Sequence, residues 1–196
     1  MSDFQLYLIE GFRHISDLGA YDHILFITAL CAIYQFSDWK KILILVTAFT
    51  LGHSLTLALA TLKIIAFSTE VIEFLIPITI VVTCLFNFFS PVNNRTAKPQ
   101  PMAFRYLTAA IFGLIHGLGF SNFLRSMLGK EENIVVPLLA FNLGLEIGQL
   151  AIVLIILLLS GIITNFLHVK QREWNLIISG MVLGISITLI QKTWIF

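Results

Sequence analysis

The sequence predicts an all-α membrane protein, a polytopic bundle of about six transmembrane helices with an interfacial helix at its N-terminus. Three observations carry that prediction. Apolar residues make up 58% of the 196 positions and charged residues 12%, whereas a soluble domain carries about a quarter charged. Six stretches approach the ~20 apolar residues that a spanning helix needs: 19–36, 42–62, 71–89, 104–123, 134–166 and 174–196. Trp39, Trp174 and Trp194 fall at the ends of those stretches, where an amphipathic indole prefers the membrane–water interface.

In order along the chain, residues 1–18 come before the first span. Phe4, Tyr7, Leu8, Gly11 and Phe12 recur there at helical spacing, which reads as a helix lying on the outer membrane surface. Asp3 and Glu10, with no basic start and no small-residue cleavage site, argue against a secretion signal. Polar loops 37–41, 90–101 and 168–173 separate spans. The fifth span is longer than a crossing requires and is expected to tilt. Pro77 in the third span and Pro137 early in the fifth each remove a backbone donor, and an ordinary kink is expected at both. The chain thus reads as a single transmembrane domain over 1–196.

The loops after spans one, three and five hold Lys40, Lys41, Arg95, Lys98, Arg105, Lys170 and Arg172, against Asp38 and Glu173. The other side collects Asp3, Glu10, Asp17, Glu70, Glu73, Glu131 and Glu132 with the other five basic residues, so the basic residues split seven to five. The positive-inside rule places both termini outside the cytoplasm, in a bacterial-type inner membrane. The net charge of +1 offers no field for nucleic acid, so the expected partners are the lipid bilayer and a small ion. Cys31 and Cys84 sit in apolar runs and read as packing residues.

The two halves echo each other. Phe49-Thr-Leu-Gly-His53-Ser54 resembles Phe141-Asn-Leu-Gly-Leu145-Glu146, 92 positions on, and His23 and His116 are 93 apart. Two three-helix repeats, inverted in the membrane, are expected to enclose a site near the midplane.

Ionisable groups in a span are costly and face the bundle interior or a water-filled path. Those of interest are Asp22, His23, His53, His116 and Glu146, with His14 at the mouth. Asn142, Glu146 and Gln149 lie at i, i+4 and i+7 and form one polar stripe. Ser54 stands beside His53, placed to orient a ligand or to satisfy a backbone carbonyl. Imidazole nitrogen with carboxylate oxygen suits borderline divalent metals such as nickel, cobalt, zinc or copper(II). The same groups also suit a proton relay, or simple bonding between helices. Gly113 and Gly117 bracket His116, Gly144 and Gly148 bracket Glu146, and Gly180 and Gly184 repeat the spacing in the last span. Small residues four apart let helix backbones approach closely, and exposed faces of this kind permit a homo-oligomer.

Four motifs in order resemble the HupE/UreJ family of membrane proteins. They are Gly11-Phe-x-His14 followed by Tyr21-Asp22-His23-Ile-Leu-Phe26, Phe49-Thr-Leu-Gly-His53-Ser-Leu-Thr-Leu57, Phe112-Gly-Leu-Ile-His116-Gly-Leu-Gly-Phe120, and Phe141-Asn-Leu-Gly-Leu-Glu146-Ile-Gly-Gln149. The resemblance covers nearly the whole chain and implies a role in hydrogenase or urease accessory function, with nickel or cobalt permeation as the expected activity. Seven residues separate His14 from Asp22, more than in the permease branch, and Phe123 stands where that branch carries a glutamate. The chain therefore resembles a less characterised branch.

The leading expectation is a permease for a divalent transition metal, with nickel or cobalt ahead of zinc. His14, Asp22, His23, His53, His116 and Glu146 are its expected metal ligands, and Ser54, Asn142 and Gln149 its polar support. One alternative is an intramembrane zinc enzyme, in which three histidines hold the ion and a carboxylate serves as general base. Another is an accessory membrane protein that transports nothing. No Gly-x-x-x-x-Gly-Lys-Ser/Thr stretch for a nucleotide occurs.

Overall fold

An apolar stretch in lipid satisfies its own backbone only as a helix or in a closed barrel, and this chain takes the first course. A computed structural model describes residues 2–19, 21–90, 92, 101–128 and 134–194. Among them run α1 (Asp3–Ser16), α2 (Asp22–Cys31), α3 (Trp39–Thr61), α4 (Thr69–Phe88), α5 (Met102–Gly119), α6 (Ser121–Leu128), α7 (Val135–Gly161) and α8 (Gln171–Lys192), with no strand. Among the described residues five stretches are long and apolar enough to cross a membrane: Phe36–Thr61, Thr69–Phe88, Met102–Gly119, Val135–Phe166 and Gln171–Lys192. Arg95, Lys98, Glu131 and Glu132, used above to orient the chain, lie outside the described residues.

Two expected spans come out interrupted. The stretch 19–36 is helical as α2 for only 10 residues, or ~15 Å, against the ~30 Å of a hydrocarbon core. The stretch 104–123 breaks at Phe120, which separates α5 from α6. Gly117 and Gly119 immediately before the break lower the helical preference there. Pro137 lies in the first turn of α7, where a backbone N–H has no intrahelical acceptor, so it removes no hydrogen bond. Pro77 sits inside α4.

The expected surface helix is α1, and it is docked rather than free. Ser2 caps it, its hydroxyl accepting from Gln5 N at 3.3 Å while Gln5 Oε1 accepts from Ser2 N at 3.1 Å. Tyr7, Gly11 and Ile15 are buried against the bundle, and Phe4, Leu6 and Phe12 remain on the outer face.

Glycines explain how α1 docks. A Cβ on Gly11 would collide with Phe141 O of α7, and a Cβ on Gly144 would collide with Leu8 O of α1. A second pair repeats the device: a Cβ on Gly52 of α3 would strike Ala110 O of α5, and one on Gly113 would strike Phe49 O of α3. In each pair the contacts advance together along both helices, through Gly148 against Ile15 and Gly117 against His53 and Thr56, so the partners run parallel. Backbone-to-backbone approach of this kind replaces the hydrophobic drive that lipid does not supply. Gly180 and Gly184 of α8 share the spacing but would meet nothing within 4 Å.

The two pairs correspond, α1 to α5 and α3 to α7. The echo of Phe49–Ser54 with Phe141–Glu146 is the α3–α7 half of that correspondence. The other expected match, His23 with His116, is replaced. His14 follows Gly11 by three residues as His116 follows Gly113, so the packing equates His14 with His116. Sequence reading missed this because it placed α1 outside the bundle.

The bundle has two distinct ends. The C-terminus of α3, the start of α4 and α6 meet around Ala60, Thr69 and Asn122. At the opposite end the last turns of α2 and α4 meet the first turns of α8: Asn87 Nδ2 donates to Ala29 O at 2.7 Å, and Asn175 Nδ2 donates to Asn87 O at 3.0 Å.

Candidate metal centre

Four helices deliver one histidine each to a common point. His14 ends α1, His23 opens α2, His53 lies in the upper half of α3 and His116 lies near the end of α5. The glycine contacts set their positions, since Gly113 and Gly117 hold α5 against the backbone on either side of His53. Ring centroids are 4.7 Å apart for His14 and His23, 6.1 Å for His14 and His53, 6.3 Å for His23 and His53, and 5.2 Å for His23 and His116.

His14, His23 and His53 can each offer a nitrogen such that all three lie within 4.8 Å of one another. A tetrahedral ion with bonds of ~2.0–2.1 Å sets its ligands about 3.4 Å apart, so side-chain shifts of about 1 Å would close the triad. His116 Nδ1 lies 2.8 Å from Phe112 O. A carbonyl only accepts, so Nδ1 carries the proton and the ring's Nε2 keeps its lone pair.

The nitrogens of this cluster are short of partners. His14 Nε2, His23 Nε2, both nitrogens of His53 and Nε2 of His116 are buried without a hydrogen bond, while His23 Nδ1 faces Asp22. His53 is 0% exposed and His116 1%. A buried polar atom left unpaired costs about 1–3 kcal/mol, and three of these imidazoles stand close enough to hold a metal ion. Asp22 stands at the edge, its Oδ1 3.3 Å from His23 Nδ1.

The structure places Glu146 elsewhere. Its Oε1 accepts from Thr47 Oγ1 at 2.7 Å, across the contact of α3 with α7. One turn on, Gln149 Oε1 accepts from Thr50 Oγ1 at 2.7 Å. Ser54 Oγ donates to Thr50 O at 2.6 Å, and Asn142 Nδ2 donates to Leu138 O at 2.8 Å. Two members of the predicted polar stripe, Glu146 and Gln149, tie α7 to α3, while Asn142 bonds within its own helix. Asn142 and Glu146 also line a lateral groove of about 690 Å³ with Leu51, Ser54 and Leu143. His168 lies beyond α7, exposed.

Two further cavities reach the cluster from one end of the bundle. One, of about 760 Å³, is lined by Glu10, Arg13, His14, Asp17, Phe120 and Phe123. The other, of about 170 Å³, brings Asp22 together with Glu73 and Thr193. Sequence reading did not single out Phe120 or Thr47. The break after Gly-Leu-Gly is the signal for Phe120; Thr47 gave none, since a lone threonine in a span is ordinary.

Apolar helices long enough to cross a bilayer and a buried cluster of histidines able to hold a metal ion define the class: a multi-pass membrane protein with a buried histidine cluster. Within that class, a family model described as HupE / UreJ protein matches residues 1–196, and the chain belongs to that family. No curated protein and no solved structure matches it.

Proposed function

We propose that the chain is a permease for a divalent transition-metal ion, bound in transit by His14, His23 and His53 with His116 and Asp22 alongside. The observation that carries this reading is the set of buried imidazole nitrogens with no protein partner. Nickel and cobalt are the favoured cargo because imidazole suits them and because the family resemblance implies them. Several moderate ligands side by side let an ion both bind and leave, as conduction demands. Asp17 beside one cavity and Glu73 beside the other raise cation concentration at the approach, while Glu10 is paired with Arg13 at 3.2 Å.

The same reading makes six crossings. Helices α1 and α2, 14 and 10 residues long, together measure ~36 Å, which matches one hydrocarbon core. The break between them sits at the histidines, as discontinuous helices do at transporter sites. Helices α5 and α6 form the corresponding broken crossing. Lys40, Lys41, Arg105, Lys170 and Arg172 gather at the end where α3, α5 and α8 begin, so that end faces the cytoplasm and both termini face out.

The test is uptake into liposomes that carry the purified protein and a trapped metal-sensitive dye. Saturable entry of nickel or cobalt is expected. Zinc held one per chain without flux would instead favour a zinc enzyme, in which the triad leaves a coordination position for water.

A further inference from the structure

Two phenylalanines stand against the histidine cluster from opposite ends of the bundle. At one end Phe120, in the break between α5 and α6, sets its ring 3.7 Å from His14 and stacks on Phe141 at 5.0 Å. It lines the cavity of about 760 Å³. At the other end Phe26 of α2 sets its ring 5.5 Å from His116 and 4.9 Å from Phe49. It lines a cavity of about 20 Å³ beside Asn87 and Arg105.

These arrangements are counterparts. The helix pairing equates His14 with His116 and Phe141 with Phe49, and Phe120 and Phe26 each complete the same trio of rings. His14 is 5.8 Å from Phe141, and His116 is 5.1 Å from Phe49. One trio borders a wide cavity and the other a narrow one, so the Phe120 ring stands between the cluster and a wide cavity, whereas the Phe26 side is closely packed.

We propose that Phe120 and Phe26 are paired gates, each controlling access to the histidine cluster from one end of the bundle. The proposal deepens the permease reading and rests on it. A bulky apolar ring over a polar site stops a hydrated cation by denying it water, the principle of a hydrophobic constriction. Inverted halves supply equivalent parts to both ends, and rocking one half against the other opens them in turn. Phe120 is placed to move, because it lies between helices rather than within one. Phe26 is 1% exposed and held by its neighbours, as the closed member of such a pair should be.

The test needs no metal. Cys31 and Cys84 are free and buried, and both would be replaced by alanine. His23→Cys then places one thiol in the cluster. Its rate of modification by a membrane-impermeant, trimethylammonium-bearing thiosulfonate would be followed in right-side-out and in inverted membrane vesicles. Phe120→Ala should speed modification about tenfold in right-side-out vesicles alone, and Phe26→Ala should do so in inverted vesicles alone. Phe120→Leu and Phe26→Leu, which remove less volume, repeat the comparison if an alanine variant fails to fold, with smaller accelerations on the same sides. Acceleration from the same face by both substitutions, or from neither face, would overturn the proposal. Because the probe is a thiol reagent, failure of the gates is read separately from failure of metal uptake.

Discussion

His53→Ala is expected to weaken cobalt or nickel binding to the purified protein by at least about 100-fold, since loss of a partner that merely orients a ligand already costs 10–100-fold. His53 is 0% exposed, and both of its ring nitrogens lack a protein partner. In the proposed site it supplies one imidazole ligand of the triad. His53→Gln fills more of the vacated volume and separates loss of the ligand from loss of packing. Glu146→Gln makes the contrast: the amide oxygen can still accept from Thr47, as the carboxylate does at 2.7 Å. Its metal affinity should stay within about threefold of the parent, as expected for a group outside the ligand set. Isothermal titration of all three variants checks both statements, and equal losses at His53 and Glu146 would show that the carboxylate belongs to the site.

Gly113→Val is expected to abolish folded protein. A Cβ at this position meets Phe49 O and crowds His53 N, both backbone atoms of α3. Ordinary overpacking costs about 1–3 kcal/mol because side chains give way; here two helix axes would have to part. Separation of α3 from α5 would also pull His53 away from His116. Gly180→Val is the matched control, since nothing lies within 4 Å of its added Cβ. Size-exclusion profiles and melting temperatures in detergent should show Gly113→Val aggregated or absent and Gly180→Val close to the parent. Equal tolerance of both would mean that α3 and α5 do not meet as described.

Much of this was legible in the chain because lipid leaves few options. Long apolar stretches have to be helical, and α3, α4, α7 and α8 fall within a few residues of expectation. The short helices were harder. A break at the histidines interrupts the hydropathy without an obvious turn signal, so α1 looked peripheral and α2 looked like a complete span. The histidines were individually conspicuous, because imidazole is rare in apolar sequence, but their convergence depends on contacts of Gly11 with Phe141 and Gly113 with Phe49. Glu146 was grouped with them as an ionisable group in a span, on a polar stripe bracketed by glycines and within a family motif. Its partner Thr47 lies on another helix, 99 positions away, and a threonine gives no warning that it will claim a carboxylate.

In the proposed site, His14, His23 and His53 hold a transition-metal ion through imidazole nitrogen. X-ray absorption on the zinc-loaded protein in detergent tests it most directly. The expected spectrum shows at least three nitrogen ligands at about 2.0–2.1 Å, accompanied by the outer scattering of imidazole rings and lost in His53→Ala. A shell of oxygen alone, or an unchanged spectrum in that variant, would contradict it.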